Sequence, residues 1–225
     1  MPSDTISILE TALAEWDIVL TDRQKEQFSD YADLLIEWNA SRMNLTRLTA
    51  PQDIAIGHFL DSLAVIRAAV IRPDVRLIDV GTGAGFPGLP IKILRPDLRL
   101  TLLEGTAKKL LFCQTVVNRC RMTDIELIHG RAEETGTKAG FRSAYDIVTA
   151  RAVAPMSRLM PWAAPFLSRG GTFVAWKGPG AAEEMEQARD VAGRLRLRWR
   201  IVPVALPLSG EPPRVHQYIL CQRED

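Results

Sequence analysis

A change of hydrophobic period near residue 73 limits the fold more than any single motif. Beyond Pro73, short apolar, β-rich runs at 76–80, 98–104, 125–129, 147–150 and 172–176 alternate with segments of helical spacing at 88–95, 106–120 and 154–167. Each run is bounded by Gly, Pro or Asp. Parallel neighbours need covering crossovers, so this alternation predicts a parallel sheet with helices on both faces. Two last runs, 198–204 and 214–221, have no helical pattern between them. Their linker, 205–213, holds three prolines and one glycine, which predicts an antiparallel final pair.

Before Pro73 the chain reads as helices. Ile8, Leu9, Ala12, Leu13, Trp16 and Leu20 recur on one face of a helix spanning 7–20. Thr21 with Gln24 is a capping-box pair, opening a helix that puts Phe28, Tyr31, Leu34, Leu35 and Trp38 on one side. Pro51 suits the first turn of a third helix running through Phe59, Leu63 and Ile66. The expected division is therefore a helical cap over 1–73 and an α/β domain over 74–225.

Composition removes several classes. With 28 Lys+Arg against 27 Asp+Glu, the net charge is +1, so any nucleic-acid partner must be met by a local patch. Three cysteines without a C-x-x-C pair argue against a disulfide framework or zinc site, and no metal is expected. Cys113 and Cys120 read as buried thiols in a reducing compartment. The first residues lack a signal-peptide pattern, and Leu63 to Ile71, the most apolar stretch, is broken by Arg67. A cytoplasmic protein without a membrane partner is expected.

The chemistry concentrates at Leu77-Ile-Asp79-Val-Gly81-Thr-Gly83-Ala-Gly85-Phe86-Pro-Gly88, where the first strand gives way to a helix. A glycine turn there lets a ligand approach the backbone at the carboxyl end of the sheet. A dinucleotide brings a pyrophosphate, which Asp79 would repel, and the spacing is G-x-G-x-G rather than G-x-G-x-x-G. S-adenosylmethionine brings an ammonium and a sulfonium, which a carboxylate suits; Asp79 could instead merely cap the turn. Glu104 closes the second strand 21 residues after Gly83, where a carboxylate can accept from both ribose hydroxyls, or favour a helix N-terminus. The segment His129-Gly-Arg131-Ala132-Glu133 ends the third strand, where amides and an acid can hold adenine.

The fourth strand and its exit, Tyr145 to Ala152, carry neither the Pro-Pro-aromatic loop of amino methyltransferases nor a cysteine nucleophile for carbon methylation. Substrates with a free lone pair remain, and guanine N7 is one. It needs no general base, so no catalytic side chain is assigned and in-line positioning carries the reaction.

At these residues the chain resembles the bacterial small-subunit ribosomal RNA methyltransferase G family (RsmG, also called GidB). The resemblance rests on Trp38-Asn39…Met43-Asn-Leu-Thr46 with His58-Phe-Leu-Asp-Ser-Leu63; on Asp79–Gly88 with Leu102-Leu-Glu-Gly-Thr-Ala-Lys-Lys109; and on Ala150-Arg-Ala152 with Trp176-Lys-Gly178. It implies a Rossmann-like class I S-adenosylmethionine-dependent methyltransferase fold: an α/β, seven-stranded, mostly parallel sheet, last strand antiparallel, with an N-terminal helical extension. It further implies methyl transfer to N7 of a guanine in the decoding-region loop of 16S rRNA, releasing S-adenosylhomocysteine. The cofactor falls to Asp79, Gly81, Gly83, Phe86, Glu104, Ala132, Glu133 and Arg151. The family often has Asp where Glu104 stands, a departure that reaches the same hydroxyls from further back.

For the RNA, Lys108, Lys109, Arg131 and Lys177 sit at the expected cofactor face with Arg151, and His58 is a further substrate candidate. His58 and Asp61, spaced i, i+3, read as a structural pair rather than a catalytic one. Arg194, Arg196, Arg198 and Arg200 alternate like one exposed strand face, and Trp162, Trp176 and Trp199 read as core or interface. The expected partner is 16S rRNA within the 30S subunit, met by a monomer. A small-molecule methyltransferase and a non-catalytic RNA-binding assembly module stay as alternatives, with a dehydrogenase last.

Overall fold

The computed structural model describes residues 2–69, 71–208 and 214–223. Its centre is a seven-stranded sheet of order β3-β2-β1-β4-β5-β7-β6. The strands are β1 (Arg76–Val80), β2 (Arg99–Glu104), β3 (Ile125–His129), β4 (Tyr145–Arg151), β5 (Leu167–Lys177), β6 (Leu197–Ala205) and β7 (Val215–Arg223). β1 to β5 pair in parallel, while β7 runs antiparallel to both β5 and β6. The α/β class and the antiparallel final pair are as the sequence predicts. Most of the linker between the last two strands, 209–213, lies outside the described residues.

The helices are α1 (Pro2–Ala14), α2 (Asp22–Ser41), a π-helix (Asp53–Leu60), α3 (Asp61–Leu63) and α4 (Val65–Ala68) before the sheet, then α5 (Gly88–Leu94), α6 (Ala107–Arg119), α7 (Ala132–Thr135), α8 (Met156–Ala163), α9 (Ala181–Gln187) and α10 (Arg189–Arg194) within it. Strand order reverses between β1 and β4, so the crevice at their carboxyl ends is a topological switch point, where ligands of open α/β sheets bind.

Three elements depart from the sequence expectation. α1 stops at Ala14 rather than Leu20, because Asp17 turns to φ +60° and Ile18 N–H returns to the Leu13 carbonyl at 3.1 Å. That left-handed stop ends a helix whatever the apolar period beyond it. The third helix is not one continuous α-helix: the π-helix is followed by two short α segments that stop at Ala68, ahead of Pro73. The arginine run is not one strand face either. Arg194 ends α10 and Arg196 sits in a turn at φ +52°, leaving only Arg198 and Arg200 on β6. The Thr21 capping box does form, with Gln24 N–H donating to the Thr21 hydroxyl at 3.3 Å and Thr21 N–H to the Gln24 side chain at 2.9 Å.

The N-terminal helices bury no core of their own. Leu9, Phe28, Leu35, Phe59 and Leu63 pack with Leu77, Leu100 and Val174 in one cluster on one face of the sheet. The other face packs Ile78, Val148, Phe173 and Ile219 against α8, α9 and α10. The cap is thus the outer layer of one side of the sheet, and its contacts fix where it meets the carboxyl ends of the strands.

Candidate active site

The glycine turn after β1 is held from below. Asp79 is fully buried; its Oδ2 accepts from the Thr82 hydroxyl at 2.6 Å and Gly88 N–H at 3.0 Å, and its Oδ1 from the Thr149 hydroxyl at 2.9 Å. Burial nevertheless pushes its carboxyl up to about 6, although those hydrogen bonds favour the anion. The expectation that Asp79 meets a cationic ligand directly does not match this geometry, because the carboxylate is 0% exposed and hydrogen-bonded beneath the turn. It shapes the site from the second layer, with Thr149 and Thr82, whose part the sequence did not reveal.

Above Asp79 the chain passes through Gly81, Gly83 and Gly85 at φ of +70°, +60° and +90°. Two of these glycines predict different costs. A Cβ on Gly83 would face open space, its nearest neighbour the Gly81 carbonyl at 4.0 Å, whereas one on Gly85 would overlap Leu89 and stand 2.6 Å from the Tyr31 hydroxyl. Gly83→Ala is therefore expected to cost about 1 kcal/mol of backbone strain, and Gly85→Ala about 3 or more once overpacking adds. Urea unfolding of the two variants checks the ordering; equal losses would refute it.

Glu104, 8% exposed at the end of β2, closes the turn from the side. Its Oε2 accepts from Gly83 N–H and its Oε1 from Thr106 N–H, both at 2.9 Å. A carboxylate has about four lone-pair sites, so two acceptor positions remain for a vicinal diol at the crevice. Beside it, Gly81, Gly105, Gly130, Arg131, Ala132, Glu133, Val153 and Trp162 line a cavity of about 240 Å³. At ~30 Å³ per water, that is room for about eight waters. Buried within the wall, the Thr135 hydroxyl has no hydrogen-bond partner. Absent side chains at three glycines, an orphaned hydroxyl and a carboxylate with free lone pairs fit an adenosine-sized ligand. Of the lining residues, Gly81, Ala132, Glu133 and Arg131 were legible in the sequence. Val153 and Trp162 were not, since neither belongs to a glycine or acidic pattern.

Arg151, at the end of β4, organises the remainder. Its Nη1 pairs with Asp61 Oδ2 at 2.6 Å, its Nη2 lies 3.3 Å from His58 Nδ1, and its guanidinium stands over the Phe86 ring at 5.0 Å. Guanidinium can only donate, so His58 Nδ1 is the bare nitrogen and Nε2–H faces the Thr46 hydroxyl at 2.8 Å. Thr46 is held in turn by Asn39, which takes the N–H groups of Leu45 and Thr46 and donates to the Thr46 carbonyl. The Asn39…Asn-Leu-Thr46…His58-x-x-Asp61 spacing thus becomes one hydrogen-bonded path from the cap to the sheet. His58 and Asp61 do not pair with each other; Arg151 joins them.

Phe86 is buried, stacked on His58 at 4.6 Å and on Tyr31 at 5.2 Å, and Tyr31 donates to the Ala84 carbonyl. Its ring belongs to the junction of cap and turn and does not line the cavity beside Glu104. His216 on β7 brings Nδ1 to 2.5 Å from Asp61 Oδ1. No sequence motif pointed to it, because a register position on a late strand, not local spacing, delivers it. Asp61, Arg151, Val153, Lys177 and His216 lie along a more open cavity of about 730 Å³ that shares Val153 with the first.

The expected RNA cations differ in what they are free to do. Lys108 is exposed at the start of α6 and Lys109 half-buried; Arg131 is exposed at the cavity wall. Lys177 is already engaged, donating to the Ala154 carbonyl at 2.9 Å and to Glu184 at 2.7 Å. Among the described residues no cluster of His, Cys, Asp and Glu could hold a metal, and no helix is long and apolar enough to cross a membrane.

Burial and the neighbouring Arg151 hold the His58 imidazole down at about 4, against an ordinary 6.5. The neutral ring is the one folding selects, so its contribution is fully present above pH 6.5 and is lost as pH falls through 4. The full difference is on the order of 3 kcal/mol. Wild type is expected to lose more unfolding free energy between pH 7.5 and 4.5 than His58→Gln, measured by urea titration. Parallel losses would refute the assignment.

Comparison with known proteins bears on this site. The family model described as GidB, rRNA small subunit methyltransferase G, matches residues 24–204. The ribosomal RNA small subunit methyltransferase G of Thermoanaerobacter sp. (strain X514) is 41% identical over 226 residues, covering 100% of this chain and 92% of that protein. Among solved structures, cofactor-bound Rv0187 from MTB superposes with a TM-score of 0.59 at 22% identity, covering 87% of this chain and 90% of that one. Precorrin-6y C5,15-methyltransferase from Geobacter metallireducens does so with a TM-score of 0.56 at 13% identity, covering 80% and 92%. These structural likenesses bear on the fold alone.

Proposed function

The chain belongs to the rRNA small subunit methyltransferase G family, and from that premise we propose that it methylates N7 of a guanine in the decoding-region loop of 16S rRNA, using S-adenosylmethionine. The observation that carries the reading is the crevice at the β1/β4 switch point, with Glu104 and an open glycine wall on one side and the cap-anchored Arg151 on the other. When bound there, S-adenosylmethionine supplies an electrophilic methyl group on a sulfonium centre.

This chain's residues would act as follows. Glu104 accepts the ribose hydroxyls while Gly81, Gly105 and Gly130 keep the wall free of side chains. Ala132 and Glu133 hold the adenine edge. Asp79 fixes the turn and Arg151 fixes the cap, so the methyl acceptor arrives at a rigid ledge. The N7 assignment is supported by what the nearby groups cannot do. His58 has its Nδ1 facing Arg151 and its Nε2–H facing Thr46, so it is not free to remove a proton. Cys113, Cys120 and Cys221 are buried thiols pushed up by that burial, Cys120 and Cys221 to about 12, which leaves no thiolate for attack on a carbon. Guanine N7 carries a lone pair and asks for neither.

Unmodified 30S subunits incubated with the protein and methyl-labelled S-adenosylmethionine should acquire label at one guanine, located by borohydride–aniline cleavage. Label on a carbon or exocyclic nitrogen would overturn the N7 assignment while sparing the family. Tight RNA binding with no turnover on naked rRNA or on subunits would favour a non-catalytic assembly role. The assembled subunit, met by a monomeric cytoplasmic enzyme, is the substrate this reading expects.

A further inference from the structure

Beside the end of the N-terminal helical layer lies a groove in the sheet face. There one row crosses four strands: Ile147 opposite Thr172, Thr172 opposite Gln222, and Gln222 opposite Arg198. Leu220 opposite Arg200 forms part of the next row. These residues floor an open cavity of about 450 Å³, walled on the other side by Ala69 and Arg72 from the end of the helical layer. Arg72, Arg198 and Arg200 are all exposed. Asp146 is the acidic residue among the lining groups, and one of its oxygens already accepts Arg76 N–H at 2.9 Å. None of the proposed cofactor residues takes part. Arg151 stands four residues further along β4 than Ile147, about 13 Å at the rise of a strand.

We propose that this groove is a second RNA contact, binding the phosphodiester backbone of the rRNA substrate away from the methylation crevice; the proposal rests on the rRNA reading above. A chain of net charge +1 draws no polyanion by its overall field, so affinity must come from local concentrations of cation. Arginine suits the task, since its planar fork donates to two phosphate oxygens at once. Arg198 and Arg200 are spaced i, i+2 on one face, about 6.8 Å apart, with Arg72 across the groove. Cations spaced along the floor and across on the wall follow an extended strand; a compact anion would need them convergent. On the floor, Thr172 and Gln222 offer a hydroxyl and an amide for sugars or base edges. The separation from the crevice also selects a ligand long enough to touch both.

The test is steady-state methylation of 30S subunits by Arg72→Gln/Arg200→Gln, at several salt concentrations and beside wild type. KM for the subunit is expected to rise about tenfold with kcat within twofold. The slope of log KM against log salt should become shallower by about 1.5, two phosphate contacts having gone. The dissociation constant for S-adenosylmethionine and the circular dichroism spectrum should not move, which separates lost contact from lost fold. Arg200→Lys, which keeps the charge, should recover most of the affinity. Unchanged KM and salt slope in a folded variant overturn the proposal, as does calorimetric binding of ATP that depends on these arginines while KM stays put. If wild type itself fails to methylate any subunit or rRNA, the functional reading falls instead, and filter binding of 16S rRNA to the same variants still decides the groove.

Discussion

Glu104→Ala is expected to weaken binding of S-adenosylmethionine by about a hundredfold while leaving the fold intact. The carboxylate is 8% exposed, and the two groups that donate to it are backbone N–H groups of its own crevice. Hydrogen bonds to a charged acceptor are worth about 1.5–3 kcal/mol each. Losing two ribose hydroxyl contacts, discounted for non-additivity, gives about 3 kcal/mol, or two orders of magnitude. Removing the carboxylate also releases Gly83 N–H and Thr106 N–H at the mouth of the cavity, where water can replace them. The apo protein should therefore lose little stability compared with the loss in affinity. Isothermal titration against thermal unfolding of the same sample separates the two effects. An unchanged dissociation constant would sink the ribose role, and a collapse of the apo protein would recast Glu104 as a structural clamp.

What the sequence made legible follows from how each feature is encoded. The glycine turn and Glu104 were readable because their chemistry is local: three glycines at left-handed φ and one acid at a strand end. The sheet was readable because alternating strand and helix periods leave few topologies. Asp79 was readable as important, but its direction was not. A strand residue at this point can face up into the crevice or down under the turn, and Thr82, Gly88 and Thr149 decide for the latter. Thr149 comes from β4 and His216 from β7, so no spacing along the chain could announce them. α9 and α10 bury little beyond Ala181, Met185 and Ala192, too thin an apolar face to give a strong helical period. The motif blocks of the cap pointed to the family without saying what their residues do. Only the structure turns Asn39, Thr46 and His58 into a path ending on Arg151.

That path gives the largest stability effect. Arg151→Met is expected to cost about 3–5 kcal/mol, because it strands the Asp61 carboxylate, whose side chain is only 5% exposed. For a chain of this length, each kcal/mol lowers Tm by about 2–4 °C, so a fall of about 10 °C should be seen. Burial by itself would raise the Asp61 carboxyl, but His216 and Arg151 outweigh it and hold the group below its ordinary value. Its stabilising contribution is therefore present above the ordinary carboxylate pKa and is lost as pH falls through the lowered one. Without Arg151 the carboxyl should move upward, so the variant's deficit should shrink in acid. The double variant Asp61→Asn/Arg151→Met removes charge and partner together and should recover part of the lost Tm, a coupling that a simple cavity at residue 151 would not produce. Additive losses at neutral pH would mean that the guanidinium serves Phe86 and His58 by packing alone, and that Asp61 is satisfied by His216 without it.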